Sequence, residues 1–202
     1  MDQSILKNVS QVKFAVIDAA SKATKRRLTM FGKKIPCKSG CSSCCKRYIN
    51  ITIAEAMVIF DYLVKKDKWA DVKKEAQKQM PIIKKLNHLS WFKLNYECPI
   101  LDKDTKKCKA YTVRPVKCST HFTESPAAVC DPWSVSAEKF IPLDMTDIEE
   151  EFEKKLYENI NDFGIFKIEL PIPIAILFAE RISQKSNQTF NQVISMIRNE
   201  FK

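Results

Sequence analysis

Apolar and polar positions follow a helical period at both ends of the chain. In residues 3–30, apolar side chains recur every three or four positions, which predicts an amphipathic helix. The C-terminal end of this helix overlaps a basic tract at 22–34, and Gly32 within the tract is expected to end the helix. The N-terminal part is therefore expected to be one long helix with a basic end.

Two more helices are predicted before the middle of the chain. Thr52 followed three residues later by Glu55 is a capping-box pattern, so a helix should begin at Thr52. A further apolar period runs over 69–87 and contains Pro81. Because proline lacks an amide hydrogen, Pro81 should kink this helix or divide it in two.

The C-terminal part is also predicted to be mainly helical. A second capping-box pattern at Thr146–Glu149 begins a helix that should end near residue 161. Residues 163–170 alternate enough to form a short strand. A proline-led helix over 171–184 and a last helix over 187–201 complete the prediction.

The segments between these helices have no sustained period. Residues 37–50 and 95–135 are read as loops that a bound metal orders, since long unsupported loops are unusual in a compact domain. The chain contains only three glycines, which argues against a turn-rich β-sandwich or barrel. The fold class is therefore mainly α: a single helical domain with metal-ordered cysteine-rich loops and little β-structure.

We divide the chain into three parts of one domain. Residues 1–36 form the N-terminal amphipathic helix with its basic tract, and 37–140 form a cysteine-cluster metal-binding core. Residues 141–202 form a C-terminal helical part packed on the same domain. No internal repeat separates them.

Composition and patterning indicate a cytoplasmic protein. Residues 1–10 contain no continuous apolar region of the kind that secretory signals carry. The most apolar run, 171–179, is about half the length needed to span a bilayer, so no membrane span is expected. In a reducing compartment, a cysteine-rich pattern favours metal binding over disulfides.

The formal charge of +10 leaves the protein basic even with ligated thiolates. Such a surface attracts an acidic protein partner weakly. It also motivates an alternative reading as a zinc-dependent nucleic-acid-binding protein, although the chain lacks the series of exposed, interleaved aromatics typical of single-strand platforms.

Eight cysteines form two groups in the pattern C-x3-C-x2-C-C and, 52 residues later, C-x9-C-x9-C-x11-C. Thiolates so crowded repel one another, and a soft metal removes that repulsion. We therefore predict that all eight bind metal. They are Cys37, Cys41, Cys44, Cys45, Cys98, Cys108, Cys118 and Cys130.

The spacing leaves the identity of the metal open. The pair Cys41 and Cys44 has the C-x2-C spacing that serves zinc and iron–sulfur clusters alike. Cys45 follows directly, and adjacent side chains point in different directions, so the pair 44–45 either serves two sites or contributes one ligand. Gly40 is expected to supply a positive φ that folds the backbone around the metal.

Arg114 and the two histidines of the chain have side chains with the chemistry of a metal site. Arg114 lies between Cys108 and Cys118, where it would donate hydrogen bonds to sulfur and offset negative charge. His121 has ligand chemistry, but a surface or capping histidine is the favoured reading. His88 receives no role.

These residues resemble a known family, the YkgJ-type cysteine-cluster proteins, described as zinc- or iron-chelating domains with a CxxCxxCC motif. The resemblance covers about residues 37–130 and rests on two halves in the same order. They are Cys37–Cys45 followed by Ile51–Ala56, and then Cys98–Asp102, Cys108–Tyr111, Arg114–Pro115 and Cys118.

The resemblance implies which residues form the site. It identifies six cysteines as ligands, agrees with many members at Cys37, and places Cys130 where members vary. Tyr111 and Arg114 are implied to lie beside the ligands. The six are Cys41, Cys44, Cys45, Cys98, Cys108 and Cys118.

Besides the nucleic-acid-binding alternative, two classes of function follow. The favoured one is a metalloprotein whose zinc or iron–sulfur cluster, with [4Fe-4S] the favoured cluster type, has a structural and redox role. An iron–sulfur-dependent enzyme is the alternative. Flagellin lysine methylases carry a related cluster, which implies methyl transfer from S-adenosylmethionine, but this chain is shorter and lacks a glycine-rich nucleotide loop.

Overall fold

The computed structural model describes residues 3–30, 32, 40–85, 96–123, 125, 127–130, 146–159 and 168–184, with single positions at 192, 195 and 199. The described chain is mainly α with one two-stranded sheet, which confirms the predicted fold class. The helix predicted over 187–201, His88 and Cys37 lie outside the ranges described continuously.

The first three helices are α1 (Gln3–Met30), α2 (Ile53–Lys65) and α3 (Trp69–Lys85). They confirm the predicted helices within two residues. Helix α3 runs through Pro81 as one element, so of the two predicted effects of this proline, a kink or a division, the division is not found. The buried side chains of Gln79 and Ile83 flank Pro81 and fasten this stretch to the rest of the fold, which offsets the missing amide hydrogen.

The centre of the fold is the contact between α2 and α6 (Ile172–Gln184). The first eight residues of α6 are all buried, as are the first seven of α2. A helix that is apolar on all sides belongs in the middle of a domain. Helix α3 covers α6 from outside, where Glu180 accepts a hydrogen bond of 2.7 Å from the Trp69 indole.

A short antiparallel ribbon connects this centre to the first cysteine group. Strand β1 (Asn50–Thr52) pairs with β2 (Glu169–Pro171), with Ile51 opposite Leu170. Backbone bonds extend the pairing at both ends, from Ile53 to Ile168 and from Ile172 to Ile49. The strand predicted over 163–170 is thus found at 169–171, at the C-terminal end of that range.

The remaining helices are α4 (Val116–Thr120) and α5 (Thr146–Asn159). Helix α5 starts at the predicted position. Helix α4 and the 3₁₀ turns Tyr111–Val113 and Ala127–Cys130 lie in the segment predicted to be loop. Elements of three to five residues are too short to produce a period, which is why the sequence pattern missed them.

The carboxylate of Glu55 joins α2 to α4. Its Oε2 accepts hydrogen bonds from the Thr52 amide and hydroxyl, each at 3.0 Å, and the Thr52 hydroxyl accepts from the Glu55 amide. This confirms the predicted capping box. The other oxygen, Oε1, accepts a 2.8 Å bond from the Val116 amide at the start of α4. One buried side chain therefore fixes the orientation of the second cysteine segment.

Helix α1 packs against α2, α4 and α5. Its buried face includes Val9 and Val16 and also Lys13, which has no exposed surface. Within the described ranges, no helix combines the length and the apolar content needed to cross a membrane.

We expect Glu55→Ala to lower the free energy of unfolding by about 3–5 kcal/mol, because it removes one member of a buried charged and hydrogen-bonded group. Urea denaturation followed by circular dichroism measures this. The exposed Glu150 is the control, and Glu150→Ala should change stability by less than about 0.5 kcal/mol. Similar small effects for both variants would contradict the role given to Glu55.

Candidate metal centre

The first cysteine group is held by a 3₁₀ turn, Ser43–Lys46. The Cys45 amide donates to Ser42 O at 2.9 Å, and the Arg47 amide donates to Cys44 O at 3.1 Å. Gly40, just before the group, has φ +89°, which confirms the predicted positive φ. The turn places Cys44 and Cys45 next to the strand β1 that anchors the segment.

A backbone hydrogen bond joins the two cysteine groups. The Cys98 amide donates to Cys45 O at 2.7 Å, although 52 residues separate these positions. The Leu101 amide donates back to Cys98 O at 2.9 Å, so the chain turns directly after Cys98. The groups are therefore already adjacent in the protein fold.

Cys108 is placed by a tight turn, because Leu101 and Cys108 form an isolated antiparallel bridge. Inside the turn, Asp102 Oδ1 accepts hydrogen bonds from the Asp104 amide and from the amide and hydroxyl of Thr105. This Asx-type arrangement stabilises the turn that carries Cys108.

Cys118 lies on α4, whose amides bond to Pro115 O and whose start is fixed by Glu55. On the other side, the Thr120 hydroxyl donates to Glu149 on α5 at 2.7 Å. The position of Cys118 is therefore set by contacts to two long helices.

Six cysteines line one cavity of about 70 Å³. Three isoleucines form apolar parts of its wall, and Arg47, Lys106 and Arg114 line it as cations. The cysteines come from both groups and are the six that the family resemblance implied. They are Cys41, Cys44, Cys45, Cys98, Cys108 and Cys118.

Cys130 lies in a second cavity of about 100 Å³ next to the first. It is buried and shares this cavity with His121, while Cys41, Cys44 and Cys118 line both cavities. His121 is half-buried and is the C-cap residue of α4, which agrees with the prediction of a surface or capping histidine. Burial, assisted by the charge of Arg47, lowers the pKa of His121 to about 4.

Arg114 and Tyr111 form one wall common to both cavities. The Arg114 guanidinium carbon lies 4.3 Å from the Tyr111 ring centre, and its Nε donates to the Ser119 hydroxyl at 3.1 Å. The bond predicted from arginine to sulfur is thus replaced, at Nε, by a bond to Ser119. The positive charge still reaches the thiols, since it lowers the pKa of Cys44.

Burial controls the other thiols. It raises the pKa of Cys98 to about 12 and raises those of Cys108 and Cys118. Within the vicinal pair, a hydrogen bond from Cys45 lowers the pKa of Cys44 to about 7 and raises that of Cys45. The thiols with a raised pKa are therefore neutral near pH 7 unless a metal replaces their protons. They are Cys45, Cys98, Cys108 and Cys118.

Sequence reasoning missed Lys13. Its Nζ donates to Val113 O, on the loop between Cys108 and Cys118. Burial lowers the pKa of Lys13 to about 8, and the negative charges of Glu55, Cys118 and Cys108 oppose that shift. A signal was available, because Lys13 stands four residues after Val9 and three before Val16, on the apolar face of α1.

The donor set fits a soft metal by its chemistry, since six sulfurs face one partly apolar cavity. In the described part of the chain, no three Cys, His, Asp or Glu side chains already have the spacing of a coordination shell. The seven described cysteines are free thiols. The fold thus places the sulfurs around one cavity, and the described side chains do not meet at the coordination distances of a single ion.

Comparison with known proteins supports this site. Searches of curated proteins and of solved structures give no match. A family model matches residues 36–159, more than half of the chain, and this range continues beyond the predicted 37–130 to include α5. The chain therefore belongs to the CxxCxxCC family, described as a "Putative zinc- or iron-chelating domain".

Proposed function

We propose that the six-cysteine cavity binds zinc or an iron–sulfur cluster through thiolates. The observation that carries this proposal is the gathering of sulfurs from two segments, 41–45 and 98–118, around one cavity. Thiolate sulfur is the donor that zinc and iron–sulfur clusters share. Free thiols in the described chain also suit the reducing, cytoplasmic location predicted from the sequence.

The main role of the metal is structural. The cysteine-bearing pieces belong to different elements: a 3₁₀ turn next to β1, the turn after Cys98, and α4. When bound, a metal supplies strong bonds between these pieces, and its binding energy becomes folding energy. We propose that the cysteine core, α1 and the C-terminal helices form one domain around this centre.

Side chains of the protein balance the negative charge that ligated thiolates bring to the site. Four thiolates around a divalent ion keep two surplus negative charges. Arg47 and Arg114 line the cavity and offset them, while Ile49, Ile100 and Ile172 limit the access of water. The protein therefore contributes charge balance and a partly apolar wall as well as ligands.

A redox role is the second candidate, because thiolates hold an iron–sulfur cluster as well as zinc. Six cysteines line the cavity, and one zinc ion or one [4Fe-4S] cluster takes four, so this set of sulfurs suits either centre. Backbone hydrogen bonds to Cys98 and Cys108 and the partly apolar wall would tune the potential of a bound cluster.

We expect the protein, purified without oxygen, to contain zinc or iron in stoichiometric amount. Elemental analysis with a visible spectrum measures this, because only an iron–sulfur centre is coloured and bleaches on reduction. Removing the metal should lower Tm by on the order of 10 °C. Protein that contains neither metal, and whose thiols all react freely with a probe under native conditions, would refute the proposal.

We expect Cys45→Ser and Cys118→Ser to abolish stoichiometric metal binding, because each removes a sulfur from the first cavity. Cys130→Ser is the matched control, since Cys130 lines only the second cavity. It should retain most of the metal. Metal content per folded molecule, with folding checked by circular dichroism, measures the difference. Equal loss in all three variants would mean that the ligand set extends into the second cavity.

A further inference from the structure

Lys13 is a fully buried cation on a helix outside the range that the family model matches. Burying an ammonium group is costly unless other charges and hydrogen bonds compensate it. An exposed position was available only one residue away, at Phe14, which is 46% exposed. A buried lysine next to an exposed phenylalanine is the reverse of the usual arrangement. A negatively charged group is therefore expected near the ammonium group of Lys13.

Glu55 provides only part of that compensation. Its Oε2 accepts from Thr52 and its Oε1 accepts from Val116, and the hydrogen bond of Lys13 goes to neither oxygen. Within the described part of the chain, Lys13 forms no direct ion pair with Glu55 or another carboxylate. Its hydrogen bond goes to the neutral carbonyl of Val113. An ammonium has three donors, and a positive charge remains to be balanced.

The position of that charge points to the cysteines. Val113 lies on the loop between Cys108 and Cys118, and these two sulfurs are near enough for their charge to act on Lys13. The next residue, Arg114, lines the cavity that contains them. Lys13 therefore approaches the cysteine loop from the side of α1, while Arg114 lies within the cavity wall.

We propose that Lys13 is a positioning residue of the metal centre, whose positive charge balances the ligated thiolates and whose hydrogen bond holds the loop that bears them. This rests on the proposed metal binding and deepens it in two ways. Helix α1, outside the matched family range, becomes part of the centre. The site then favours an anionic, thiolate-rich centre over a neutral one of mixed ligands.

The experiment measures the affinity of full-length protein for zinc alone, by competition with a chelator, per folded molecule. Lys13→Met keeps an apolar chain of similar length and should bind zinc about 10–100-fold more weakly, the usual effect of removing a residue that supports ligands. Val16→Ala is the matched control, because Val16 is buried one turn further along the same helix. It should lower stability and leave the affinity within about threefold.

Two further variants separate charge from packing and keep the test decisive if Lys13→Met folds poorly. Lys13→Gln can still donate to Val113 but is neutral, and it should also bind about 10–100-fold more weakly. Lys13→Arg keeps the charge and should recover affinity to within about threefold of the original protein.

A double variant tests whether Lys13 serves only Glu55. If it balances the thiolates, Lys13→Met should weaken zinc binding by about 10–100-fold in a Glu55→Gln background as well. If the double variant binds zinc as tightly as Glu55→Gln alone, the proposal is overturned. The proposal is also overturned if Lys13→Met and Lys13→Gln bind zinc as tightly as the original protein. In that case the proposed metal binding is unaffected. Failure of the original protein to bind zinc or iron would overturn both.

Discussion

The buried carboxylate of Glu55 is the contact on which the arrangement of the rest depends. It caps the start of α2 through Thr52 and fixes the start of α4 through the Val116 amide. Helix α2 belongs to the apolar centre, and α4 carries Cys118. The packing of α2 against α6 is thereby connected to the segment that carries the second cysteine group, which also buries Ile100 and Val116 in the core. A neutral side chain would satisfy the hydrogen bonds less well, because charged acceptors bind amides more strongly.

The cysteine cavity forms where this anchored region meets the first cysteine group. The apolar part of its wall belongs partly to the ribbon and α6, through Ile49 and Ile172, and its charged part belongs to the loops. This division has a physical logic. Burial keeps Cys98, Cys108 and Cys118 protonated near pH 7 when no metal is present, and nearby cations favour the thiolates once a metal replaces the protons. These three sulfurs therefore do not repel one another as anions before a metal binds.

The sequence predicted those parts of the fold that depend on neighbours in the chain. The Thr52 cap, the long helix α1 and the positive φ of Gly40 all follow from a few adjacent residues, and all are found. The β1–β2 pairing joins residues more than a hundred positions apart, and its register is visible only in three dimensions. Lys13 was missed for the same reason, because its partner Val113 is distant in sequence. The cysteines could be predicted as a set because their spacing is rare, whereas their division between two cavities depends on the packing of α4 and the turn at 127–130.

The ribbon has a consequence for the boundaries of the folded unit. The family match covers residues 36–159. Strand β2 and helix α6 lie after its end, and helix α1 lies before its start. A fragment limited to 36–159 would leave β1 with an unpaired edge and would expose to water the apolar residues of α2 that pack against α6. Unpaired edges next to apolar surface are the usual start of aggregation. Helix α1, strand β2 and helix α6 therefore supply interior surface that residues 36–159 alone do not contain.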